Sequence, residues 1–241
     1  MKDRTTSENC VQAPRRGGGW MFLAEAARDL RTTGAIAPSG KALAQVLTEP
    51  VRVQGPRPLS VLEVRAGTCA VTRTLIPQLP RGSRLAIVEA KPRFAARQQN
   101  LVGAHPNQAG RLVKAEVHQA FLENLETDER YDVIVSGLPL TNFAPAQVER
   151  IMSRYMELLH PGGTLTYFAY LGTRRARALT ASRAEVRRHA AVDEVMAAYQ
   201  RRHAVGRWPI WASVPPAYVW HLRGPLVPGR EQQHSEGGSR R

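Results

Sequence analysis

After Gly55-Pro56-Arg57-Pro58 the sequence falls into an alternation that few folds satisfy. Short apolar runs appear at 59–64, 84–88, 111–115, 131–135 and 164–170, and stretches with helical spacing, such as 92–100 and 145–159, separate most of them. Apolar residues on successive strand positions, with no polar alternation, imply strands covered on both faces. Strands of that kind joined through helices imply a parallel, doubly wound α/β sheet. Later, 207–213 and 217–222 flank Pro215-Pro216 and read as a closing pair of antiparallel strands.

Upstream of the switch, WMFLAEAARDLR (20–31) puts Trp20, Leu23, Ala27 and Leu30 on one helical face. A second helix is expected from an N-cap at Ser39 through Leu47. Residues 1–19 and 224–241 read as flexible tails. The domain is therefore expected over 20–223. Within it, residues 172–207 form a basic helical insert, with nine arginines against three acids.

In a doubly wound sheet, ligands bind beyond the carboxyl ends of the strands, where strand order reverses. The first strand and its turn read VLEVRAGTCAVT (61–72), which aligns with a cofactor loop of the form acid-x-Gly-x-Gly-x-Gly. Glu63 and Gly67 match, while Arg65 and Cys69 occupy the other glycine positions. Glu89 ends the following strand, 22 residues beyond Gly67, where a carboxylate can accept ribose hydroxyls. Glu116 is expected to end the next strand and to meet an adenine amino group.

The motifs AIAPSGKALA (35–44), VLE…GT…VT, SGLPLTNF (136–143), HPGGTLTYFAY (160–170) and VPPAYVW (214–220) occur in this order. Together they resemble the bacterial class I phospholipid N-methyltransferases, which methylate phosphatidylethanolamine, and their ornithine-lipid relatives. The likeness covers about residues 20–171 and 207–223. The resemblance implies a Rossmann-like class I methyltransferase fold and S-adenosyl-L-methionine as cofactor. It also implies that Pro38, Ser39, Glu63, Gly67, Glu89 and Glu116 line the cofactor. Ser136, Gly137, Leu138, Pro139 and Asn142 would edge the methyl-transfer site, with Tyr170 near the lipid amine. Arg65, Cys69 and the arginine-rich 172–207 stretch depart from the family pattern, and they tilt the expected headgroup toward ornithine lipid.

Composition bears on the partner. Thirty-four basic against twenty acidic residues give a net charge of +14, which favours a polyanion. No apolar run reaches the roughly 18–20 residues that span a bilayer. Two cysteines, Cys10 and Cys69, make neither a disulfide framework nor a zinc site and fit a reducing compartment. The expectation is a cytoplasmic enzyme without metal, peripheral on the inner face of an anionic membrane, touching it through 20–31 and 172–207. Two other readings stay open. An RNA adenine N6-methyltransferase would explain the charge, but Gly137-Leu-Pro-Leu140 lacks the amide and aromatic that grip a flipped base. A silent lipid- or RNA-binding relative would explain Arg65 and Cys69.

Overall fold

A computed structural model of the chain describes residues 38–64, 67, 69–105, 113–170, 183–213 and 216–226. The expected tails over 1–19 and from 227 on, the 20–31 helix, Arg65 and residues 172–182 lie outside the described residues. So do the side chains of Pro38 and Ser39.

Seven strands form one sheet: β1 (Ser60–Val64), β2 (Ser83–Val88), β3 (Val113–His118), β4 (Tyr131–Ser136), β5 (Leu159–Tyr170), β6 (Ala204–Ile210) and β7 (Ala217–Arg223). Their order is β3-β2-β1-β4-β5-β7-β6. The first five pair in parallel, while β7 runs antiparallel between β5 and β6. The chain winds outward through β2 and β3, then returns to β4 on the other side of β1. The reversal of strand order thus falls between β1 and β4.

Both faces are covered, which explains the continuous apolar strands. On one side α1 (Pro38–Arg52), α2 (Ala70–Leu75) and α3 (Pro92–Ala104) bring Leu47, Leu75 and Val102 against Val61, Leu85 and Val133. On the other, α4 (Pro145–Leu158) and α5 (Arg183–His203) bring Ile151, Tyr155, Val192 and Met196 against Leu62, Ile134 and Leu165. Neighbouring residues of β1 therefore serve opposite layers, and Glu63 faces the α2–α3 side.

Three expectations shift. Ser39 is the second residue of α1 rather than its N-cap. Strand β3 runs to His118 rather than stopping near Ala115, because its ladder with β2 pairs Ser83 with Val113 and Val88 with His118. The described part of the basic stretch is no insert: α5 is the crossover that two strands of the same direction, β5 and β6, require. Val192 and Met196 bury it against the sheet, and β6 begins at Ala204, inside the stretch read as helical.

Candidate cofactor and acceptor site

Glu63 sits one residue before the end of β1 with 1% of its surface exposed. Thr72 Oγ1, on α2, lies 3.0 Å from Glu63 Oε1 and 3.0 Å from Gln98 Oε1 on α3. Thr72 donates to Glu63, and its one proton lies between two acceptor oxygens. Burial is the main cause that pushes the Glu63 carboxyl up to about 8, against the Thr72 hydrogen bond, which lowers it. Its second oxygen, Oε2, is buried without a partner among the described residues.

Between β1 and α2 the backbone turns twice through the left-handed region, at Gly67 (φ +48°) and Cys69 (φ +66°). Cys69 is the one non-glycine residue with positive φ among the described residues, and it stands where the motif expects its third glycine. The loop keeps a glycine-type path on a cysteine, at a local strain of about 1–2 kcal/mol. Its thiol is buried, and burial pushes its pKa up. Above Gly67 a Cβ would meet nothing within 4 Å.

Glu89 follows β2 and accepts two main-chain donors, Gly67 N–H at 3.2 Å and Lys91 N–H at 2.9 Å. It therefore ties the end of β2 to the turn after β1. Glu63, Gly67 and Glu89 are brought together as the sequence pattern expects. Glu116 is not with them. It lies two residues short of the end of the edge strand, about half exposed, and pairs with Lys114 Nζ at 2.6 Å. His118 and Gln119 occupy the strand end instead.

Ser136 ends β4 fully buried, and its Oγ accepts the Tyr155 hydroxyl at 2.7 Å and Leu138 N–H at 3.3 Å. These bonds shape the following loop; Ser136 is absent from the walls of the cleft beyond it. Gly137 N–H donates to Val64 O at 2.9 Å, so the loop starts against the end of β1. Pro139, Leu140 and Thr141 then form one wall of a cleft of about 230 Å³. Asn142 points elsewhere: it is exposed, and Thr141 takes the wall position. Tyr170, at the end of β5, does line the cleft with Phe168, the two rings edge to face at 5.0 Å.

The opposite wall is α5, through Asp193, Met196, Ala197 and Gln200. Their spacing of three, four and seven residues is one helical face, so the signal was present in the sequence but hidden among the arginines. Arg188 holds this helix over the loop by donating to Thr141 O at 3.3 Å and Phe143 O at 2.8 Å. Gln200 Nε2 donates to the Tyr167 hydroxyl at 2.8 Å. The result is a small chamber with aromatic and thioether walls and one carboxylate. Its loop wall begins at Gly137, which is bonded to the last residue of β1.

No protein-family model and no curated protein sequence matches the chain. Among solved structures it is similar to the N-methyltransferase NodS from Bradyrhizobium japonicum, with a TM-score of 0.57 and 18% identity over 78% of this chain and 97% of that one. The glycopeptide N-methyltransferase MtfA matches with a TM-score of 0.56 and 13% identity, over 77% of this chain and 90% of its own. The 1,6-didemethyltoxoflavin-N1-methyltransferase of Burkholderia thailandensis covers 89% of this chain and 93% of its own, at a TM-score of 0.52 and 18% identity. Identities this low report the fold. The sheet order and layers are those of class I, Rossmann-like methyltransferases.

Proposed function

We propose that this protein is an S-adenosyl-L-methionine-dependent N-methyltransferase acting on the primary amine of a membrane amino lipid. One observation carries the reading: the loop that walls a cleft beyond β4 and β5 starts with Gly137 N–H bonded to Val64 O, at the strand-order reversal where β1 leads into the Gly67 turn.

The Glu63–Gly67–Glu89 cluster fits the cofactor. The buried Oε2 of Glu63 has no donor among the described residues, a place that a ligand's ammonium suits, and the open space above Gly67 admits a ligand against bare backbone. Glu63, Gly67 and Glu89 would hold it, with Glu89 as acceptor for ribose hydroxyls. S-adenosyl-L-methionine supplies a methyl group already activated on a sulfonium.

The protein's own work is on the acceptor. An alkylammonium titrates near pH 10, so the amine arrives charged. Asp193 lines the α5 wall and adds negative charge that attracts the ammonium form to the cleft. Phe168, Met196 and Leu140 disfavour the charged form by desolvation, so the ammonium gives its proton to water as it enters and the neutral amine is the form that attacks. Tyr170 and Thr141 complete a chamber that fixes the nitrogen's direction of approach and excludes bulk water. Leu140 is buried at the position where a base-stacking aromatic would stand, which favours an aliphatic amine over a flipped nucleobase.

Ornithine lipid is the favoured headgroup and phosphatidylethanolamine the second; both place a primary amine beside an anionic group. The test is lipid analysis of a bacterial host that makes both lipids, expresses this chain and is fed methyl-labelled methionine. Label is expected in the amino lipid. Labelled RNA with unlabelled lipid would overturn the proposal.

A further inference from the structure

The register of the sheet puts an exposed tryptophan on the same rim as the acceptor cleft. In β7, Ala217 pairs with Tyr170 on one side and with Ile210 on the other. The carboxyl ends of β5 and β6 therefore lie level, and Trp211, the next residue, stands 72% exposed where the turn to β7 leaves the sheet. Helix α5 starts at this same end, as the bonds from Arg188 to Thr141 and Phe143 require. Its first eight residues hold Arg183, Arg187 and Arg188 against one acid, Glu185, with Val186 45% exposed among them. Exposed Lys91 and Arg93 follow the end of β2 on the same rim.

We propose that this rim is a docking face for an anionic lipid bilayer, with Trp211 as its interfacial anchor and Arg183, Arg187, Lys91 and Arg93 as the contacts to lipid phosphates. Indole rings settle at the headgroup level because they are apolar with one polar edge. Cations around such a ring add attraction to an anionic surface. Docked this way, the cleft opens toward the bilayer. A headgroup enters it while the acyl chains stay in the membrane. The inference rests on the lipid reading above and places the membrane contact on residues outside the cleft.

The test uses the full chain with vesicles of phosphatidylglycerol and phosphatidylcholine, scored by co-sedimentation, alongside methylation of amino lipid dispersed in detergent. Trp211→Ala and the double variant Arg183→Glu/Arg187→Glu are expected to lose vesicle binding by roughly tenfold or more. Both keep methylation of the dispersed lipid. Vesicles with brominated acyl chains should quench wild-type fluorescence, and the quenching should fall in Trp211→Phe, a variant that keeps an aromatic ring in place. Wild-type vesicle binding by Trp211→Ala, or RNA bound in preference to vesicles, overturns the docking face. Trp211-dependent vesicle binding without any methylation would instead sink the enzymatic reading and leave the face standing.

Discussion

Glu63 carries two readings in one position, as the end of a core strand and as a ligand, and pH separates them. Its carboxyl is pushed from 4.5 up to about 8 in the folded protein, chiefly by burial. A raised carboxyl means the fold holds a proton that the unfolded chain releases. The stability tied to it is fully present below about pH 4.5 and is lost as pH rises toward 8, at up to about 1.4 kcal/mol per pH unit. Glu63→Gln should abolish this slope, visible as denaturation midpoints that converge with wild type in acid and exceed it near pH 8. A cationic ligand at the orphaned oxygen demands the ionised form, so it expels the proton. Calorimetry of S-adenosyl-L-methionine binding at pH 7, in two buffers of different ionisation enthalpy, should therefore show about one more proton released by wild type than by Glu63→Gln. Equal proton release would place the ligand's charge away from Glu63. The acid itself was legible in the sequence as the end of an apolar run. Its partner Thr72, and the Gln98 that Thr72 also meets, were not, since nothing in a linear pattern says that α2 and α3 meet over β1.

The loop after β4 and helix α5 work as a pair of elements. Tyr155 anchors the loop from beneath, through its hydroxyl on Ser136, and Arg188 anchors it from above. Tyr155→Phe keeps the ring in the core and removes one buried hydrogen bond, a loss of about 1–2 kcal/mol. The loop lines the cleft proposed for the acceptor and holds none of Glu63, Gly67 and Glu89. The variant should therefore raise KM for the lipid amine while leaving the affinity for S-adenosyl-L-methionine near wild type, measured by titrating each separately. A matched loss of both would mean the loop also supports the cofactor cluster. The sequence announced these elements unevenly. The apolar runs of β1, β2 and β4 were plain because both faces are buried. Strand β3 was misplaced because an edge strand carries Lys114, Glu116 and His118 among its apolar residues, which blurs its end. Helix α5 was read as an insert because its arginines dominate its composition, although two parallel strands on either side of it demanded a crossover.

At the scale of the whole molecule the excess charge and the rim must be weighed together. A net charge of +14 over 241 residues attracts any polyanion, so charge alone gives affinity without orientation. No helix among the described residues is long and apolar enough to cross a membrane. On the proposed docking face, the exposed Trp211 and Val186 would supply a short-range apolar contact and the arginines a long-range electrostatic one. Salt distinguishes them, because the screening length shrinks from about 10 Å at 0.1 M to about 3 Å at 1 M while indole burial is not screened. Association with vesicles rich in phosphatidylglycerol should therefore fall steeply over that range. The fraction still bound at high salt should depend on Trp211, whereas Arg183→Glu/Arg187→Glu should flatten the salt curve. Vesicles of phosphatidylcholine alone should bind at a low level that salt leaves unchanged and that Trp211→Ala lowers further, matching the fraction that survives high salt on anionic vesicles. Binding that salt removes completely, with no residue dependent on Trp211, would mean that charge acts alone and the rim has no anchor.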